Sequence, residues 1–260
     1  MSKVEDFREL HQGQILLMPN AWDLGSVKIL AHLGFRALAT TSSGAAAAQG
    51  RPDGDLGRDA VLTHAAEVAA AVDVPVSADL ENCFADEPNG VAETVRRALG
   101  TGLAGMSVED WSGSEIYDIG LATDRVRAAT EAARGNLLVT ARAENHIHGV
   151  DDLDDTIARL CAFQQAGADV LFAPGIVTRE QIRTVLSEVE APVSVLARSG
   201  VAPVAELAEL GVARLSVGGA FAFTAYATLV DAAREIQTAG TFGYLDAAER
   251  GSRAARDSFS

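Results

Sequence analysis

The chain of 260 residues is 48% hydrophobic, 22% charged and only 5% aromatic, the composition of an ordinary soluble globular protein. A formal net charge of −15 argues against a nucleic-acid or anionic-membrane partner, although a few local cations suffice for a small anionic substrate. No apolar run reaches the ~18 residues of a membrane span. The charged start "MSKVEDFREL" lacks a signal peptide's apolar core, and Cys83 and Cys161 suggest no metal pair or disulfide framework, so a cytoplasmic protein is expected.

Short apolar runs alternate with amphipathic stretches along the whole chain. "ILLMPN" (Ile15–Asn20) reads as a first strand, followed by the helix "LGSVKILAHLG". "ALATTSSG", "VPVSADLEN", "GMSVED", "LLVTARAEN", "DVLFAPG", "PVSVLARSG" and "RLSVGG" read as strands two to eight, each followed by a helical segment. The strands are continuous apolar runs, as parallel strands covered on both faces require. Eight such units predict a single-domain (β/α)8 barrel of the TIM type over residues 1–240, with residues 241–260 as a short helix or frayed tail. A doubly wound open sheet fits less well, because "LMPNAWD" is no glycine-rich first turn.

Chemistry in such a barrel sits at the C-terminal ends of the strands. There the sequence places Thr41, Ser42, Ser43 and Gly44 after strand two, and Asp79 and Glu81 after strand three. Glu109 and Asp110 follow strand four, and Arg142 and Glu144 follow strand five. Strand side chains alternate with period 2, so Asp79 and Glu81 should share a side, as should Arg142 and Glu144, while Asp110 points away. Two carboxylates at ~4 Å repel by roughly 4 kcal/mol at an effective dielectric of ~20. Three responses are open: protonation of one acid, pairing with Arg142, or binding of a hard divalent cation, with Mg2+ favoured because it leaves positions for water and substrate oxygens.

Other motifs are weaker. "TTSSGAA" is either an ordinary turn or an anion cradle opened by Gly44. "SVGGAF" is either a tight turn or a phosphate-binding one. His146 and His148 in "ENHIHG" read as loop residues, since H-x-H alone is a poor metal signature. Cys161 lies in a helical stripe and reads as core; Cys83 lies near the mouth without a base.

The ordered motifs "TTSSG", "RPDG" (Arg51–Gly54), "VSADLEN", "SVED", "ARAEN" and "GADVLF" resemble the isocitrate lyase/phosphoenolpyruvate mutase superfamily over nearly the whole chain. The resemblance implies that Asp79 is the principal Mg2+ contact, with Glu81 and Glu109 completing the ligand set. It implies that Asp53 joins through water and that Glu144 stands further out. It also implies that Ser43, Gly44 and Ala45 grip the substrate carboxylate, and that Arg142 and Asp79 act on a 2-oxo acid through a pyruvate-type enolate. A homo-oligomer, dimer or tetramer, is implied too, with the last barrel helix around Phe221–Ile236 exchanged between subunits.

The departures shape the reaction. The family's lyase motif K-[KR]-C-G-H after the strand-four acid is replaced by "WSGSEIYDIG", with no Cys, His or Lys, and the phosphonomutase lid is absent as well. Cys83 and Ala85 stand where the family commonly has glycine. Decarboxylation of a small 2-oxo di-acid needs no acid or base at the bond-breaking step. A Mg2+-dependent C–C lyase, oxaloacetate-type decarboxylation in particular, is therefore the leading expectation. C–P cleavage or rearrangement of a phosphonopyruvate-like substrate, and non-catalytic binding of a 2-oxo acid, are the alternatives.

Overall fold

Pro19 splits the first expected strand in two. The computed structural model describes residues 2–259, and in it β1 (Leu16–Met18) and β2 (Asn20–Ala21) flank that proline, which has no N–H to give to a ladder. β1 pairs with β9 (Arg214–Ser216) and β2 with β3 (Leu38–Thr40), so one interrupted segment joins both ends of the sheet. Between them run β4 (Val76–Asp79), β5 (Gly105–Glu109), β6 (Leu138–Arg142), β7 (Val170–Phe172) and β8 (Val193–Leu196), all parallel, in the order β1-β9-β8-β7-β6-β5-β4-β3-β2. This is the expected (β/α)8 barrel, with one of its eight staves broken.

The main apolar core lies between the sheet and its helical jacket. Val76, Met106, Val139 and Val195 face α4 (Arg58–Ala70), α6 (Ile119–Ala133) and α7 (Leu153–Gln165) through Val68, Val126 and Phe163. A second, smaller cluster closes the N-terminal end of the barrel, where α1 (Lys3–Leu10) sets Phe7 and Leu10 against Leu16, Met18 and Leu138. Gly105 makes this plug possible: a Cβ there would come within 2.7 Å of the Phe7 ring. Above the plug the interior is polar. Ser77, Ser107, Thr140, Ser194, Arg214 and Ser216 are all buried, in place of the branched aliphatic layers usual in such barrels.

Two helices depart from the simple jacket. α10 (Ala220–Thr238) follows β9, yet Ala222 is its sole fully buried residue, and Phe223, Leu229 and Val230 are exposed. The tail, expected as a short helix or frayed, is the 15-residue helix α11 (Leu245–Phe259), packed on α2 (Leu24–His32). Cys161, expected in the core, is half-buried, with Sγ 3.4 Å from the Glu188 carbonyl. Among the described residues no helix is long and apolar enough to cross a membrane.

Candidate active site

Arg142, the last residue of β6, organises the mouth of the barrel. Its Nη1 donates to Asp79 Oδ1 at 3.0 Å, its Nη2 lies 3.3 Å from Glu109 Oε2, and its Nε donates to Glu144 Oε1 at 2.7 Å. Burial works against the guanidinium charge, but Glu144, Glu109 and Asp79 more than offset it and hold Arg142 well above its ordinary pKa. Burial, with Glu144 and Asp79 adding to it, pushes the Glu109 carboxyl well above the usual range despite the opposing pull of Arg142. Asp79 also accepts from the Ser42 N–H at 3.1 Å and the Ser107 hydroxyl at 3.4 Å. Asp110 does point away: it accepts from the Glu144 N–H at 2.8 Å and pairs with the buried Arg159.

Glu81 reaches the mouth by a different route from the one its spacing suggests. β4 ends at Asp79, and Glu81 stands in a turn with φ 51°, followed by Cys83 at 60° and Phe84 at 58°. Left-handed backbone costs a residue with a Cβ roughly 1–2 kcal/mol, so this turn stores strain that glycines would relieve. Side chains hold it in place. Arg125, fully buried on α6, donates to the carbonyls of Asn82, Ala85 and Asp86, and Thr94 donates to that of Cys83 at 2.7 Å. The Glu81 carboxyl itself has no hydrogen bond or ion pair among the described residues. Burial, then Asp79 and Asp53, push its pKa up to about 7. Cys83 is fully buried, its thiol pushed up to about 12, and it is no nucleophile.

A cavity of about 200 Å³ opens below these groups, lined by Ser42, Ser43, Asp53, Asp79 and Arg142 and reaching Thr140 and Arg214 at its floor. An outer recess shares Ser42, Asp53, Arg142 and Ile147 with it and adds Glu81, Glu109, Glu144, Trp111 and His148. Ser43 faces the cavity, whereas Gly44 and Ala45 lie behind it in the first turn of α3 (Ser42–Ala48). The Gly44 N–H is taken by Thr41 Oγ1 at 3.4 Å and the Ala45 N–H by the Thr41 carbonyl at 3.0 Å. Gly44 is required by space: a Cβ would lie 2.7 Å from Thr41 and 2.9 Å from Trp22. The "SVGG" turn is no open phosphate cradle, because Asn20 Oδ1 accepts from the Val217 and Gly218 N–H groups at 3.0 and 2.9 Å.

The expected ligand set of Asp79, Glu81 and Glu109 does not form a ready-made cage. Asp79 and Glu109 are joined through Arg142, and among the described residues no three His, Cys, Asp or Glu side chains are placed to hold a metal ion together. The donor chemistry nevertheless fits a hard divalent cation. The oxygens are carboxylates, they outnumber the single arginine, and Glu81 forms no ion pair among the described residues, with Arg142 acting on it only from a distance. Such an ion would take one or two protein oxygens, with water and substrate filling the rest of its shell, as Mg2+ commonly does.

Sequence reasoning missed three features. Arg214 is buried at the cavity floor, where burial and Arg142 lower its pKa to about 9. Its neighbours are Ser194 at 3.0 Å, Thr140 at 3.2 Å and His11 at 3.4 Å, with no acid among them. Arg125 is the clamp just described. The third is His148, assigned to a loop on its H-x-H spacing. Its ring stacks on Trp111 at 3.7 Å and 10°, and its Nε2 lies 3.7 Å from Glu144 Oε2. The companion His146 is buried, with Nδ1 3.2 Å from Asp151 Oδ1 and Nε2 unpaired among the described residues. The segment in the lid position is pinned by a Trp111–Ile116 bridge and by Tyr117, whose hydroxyl donates to Asp86 and whose ring lies 4.1 Å beneath the Arg125 guanidinium.

The family model for phosphoenolpyruvate phosphomutase matches residues 7–237. The chain belongs to the isocitrate lyase/phosphoenolpyruvate mutase superfamily. A structure from Burkholderia cenocepacia J2315 assigned as a lyase/mutase is 47% identical, with a TM-score of 0.94 over 98% of this chain and 95% of that one. An uncharacterized protein of Mycobacterium tuberculosis H37Rv is 33% identical over 214 residues, 82% of this chain and 81% of its own length. The oxaloacetate decarboxylase of Bradyrhizobium sp. BTAi1 is 27% identical over 203 residues, 73% of this chain and 69% of that enzyme. Superfamily membership makes this chain an enzyme of the lyase or mutase kind.

Proposed function

We propose that the protein is a Mg2+-dependent C–C lyase that acts on a small 2-oxo acid through a pyruvate-type enolate, with oxaloacetate-type decarboxylation as the leading case. The observation that carries this reading is the mouth itself: one arginine gripped by Asp79, Glu109 and Glu144, beside the unpaired Glu81, above a cavity sized for a small organic acid. Asp79, Glu81 and Glu109 would hold the cation, with Asp53 at the edge of its shell, and the ion would supply a positive charge where enolate charge develops. Ser43, backed by Gly44 and Ala45, receives the carboxylate end. Arg142 orients the 2-oxo group and, fixed by its acids, needs no reorganisation as charge moves. The similarity to the Bradyrhizobium decarboxylase supports this choice of substrate class.

The test is a Mg2+-dependent screen of 2-oxo and 2-hydroxy acids, comparing wild type with Asp79→Ala. Pyruvate release from oxaloacetate by wild type, absent from the variant and from chelator-treated protein, supports the reading; no release from any acid sinks it. The phosphomutase family model favours a second reading, C–P cleavage or rearrangement of a phosphonopyruvate-like acid. A new phosphorus resonance with that substrate, and none of the first activity, would select it. We infer further that the protein is a homo-oligomer in which the exposed apolar side of α10 packs on a neighbouring barrel. Light scattering showing a monomer at micromolar concentration would overturn that.

A further inference from the structure

A pyruvate-type enolate must be protonated at carbon before product leaves, and the lid segment Trp111–Gly120 holds no Cys, His or Lys to do it. We propose that His148 is the catalytic acid–base of this site, giving the proton to the enolate carbon; the proposal rests on the 2-oxo acid reading above. His148 lines the same recess as Glu81, Glu109, Arg142 and Glu144. Glu144 lies between Arg142 and His148, with Oε1 on Arg142 Nε at 2.7 Å and Oε2 3.7 Å from His148 Nε2. The Glu144 carboxylate lies on the Nε2 side of the ring, outside hydrogen-bond distance, and Nδ1 is the nitrogen left for chemistry. That nitrogen has no partner among the described residues. Trp111 stacks flat on the ring at 3.7 Å and fixes its plane. So Trp111, the first residue of the segment that stands in place of the K-[KR]-C-G-H motif, packs on a histidine from the next strand's loop.

The step balances without another reactant. The electrons of the broken C–C bond reside in the enolate, and CO2 carries the lost carbon away. The enolate π pair takes the Nδ1 proton to form the C3–H bond, the 2-oxo group reforms, and neutral His148 regains a proton from water at its part-exposed edge. The charged groups lining the recess with His148 are Glu144, 3.7 Å from its Nε2, and Arg142, Asp53, Glu81 and Glu109.

The experiment separates this proposal from the lyase reading by using pyruvate, which needs no C–C cleavage. With Mg2+ in D2O, proton NMR follows exchange of the pyruvate methyl hydrogens by wild type, His148→Gln and His148→Asn. Oxalate affinity, measured by calorimetry, reports whether the site is intact. The expected result is exchange in wild type, slowed about 10²-fold in both variants, with oxalate affinity within about threefold. Oxaloacetate turnover with exchange that ignores His148 overturns the acid–base role and leaves the lyase reading standing. His148-dependent exchange without release from any 2-oxo acid does the reverse. Absence of exchange in wild type also overturns the role, as does a parallel loss of oxalate binding, which would make His148 a structural support.

Discussion

Two arginines inside one barrel are treated in opposite ways. Arg142 at the mouth is held by three carboxylates, which raise its pKa, while Arg214 at the floor has two hydroxyls and an imidazole for company and is pushed down to about 9. At the floor, burial and then Arg214 push His11 down to about 4. The difference shows that a buried cation in this fold is not a stability device in itself. Arg142 neutralises acids that the site keeps for another purpose, whereas Arg214 is accommodated by neutral groups that leave its charge uncompensated.

The comparison can be broken by mutation. Arg142→Met should have the largest effect, because it strands buried carboxylates: about 3–5 kcal/mol lost in urea unfolding at pH 8. That loss should shrink as pH falls, because burial raises the Glu109 pKa and the stranded acids take up protons; a pH-independent loss would mean that packing, not charge, is at stake. Asp79→Asn comes next, at about 1–3 kcal/mol, because it weakens acceptance from Arg142, the Ser42 N–H and the Ser107 hydroxyl together. Glu81→Gln should act in the opposite direction. A carboxyl raised from 4.5 to about 7 in the folded state favours folding while protonated, and that contribution is lost as pH rises through 7. In cation-free protein the variant should therefore melt higher than wild type at pH 8 and alike at pH 4.5; an equal gain at both would refute the charge explanation. Arg214→Met should be smallest, within about 1 kcal/mol of wild type, because relieved desolvation offsets the lost hydrogen bonds. A loss matching that of Arg142→Met would collapse the contrast.

Asp79, Glu109 and Arg142 were legible because each ends a strand, and strand ends meet at the mouth of a barrel whatever the helices do. Glu81 was legible for a partly wrong reason. Alternation put it beside Asp79, but the strand stops first, and a left-handed turn held by Arg125 delivers it. Nothing local marks Arg125 as that clamp, since its partners lie about 40 positions earlier in the chain. Arg214 escaped notice because it opens an apolar run, and its polar companions Thr140 and Ser194 come from other strands. His148 was set aside with His146 on spacing, yet the two rings have different fates. The stack on Trp111, 37 positions away, and the recess that His148 lines tell them apart.

The polar lumen carries a consequence for how this protein can change. Cohesion resides in the layer between sheet and jacket and in the Phe7 plug, while the axis is lined by serines, a threonine and one arginine that contribute little apolar burial. Replacing lining residues should therefore redirect selectivity at slight thermal cost, so the same shell can be retuned toward new acids by exchanging its inner hydroxyls.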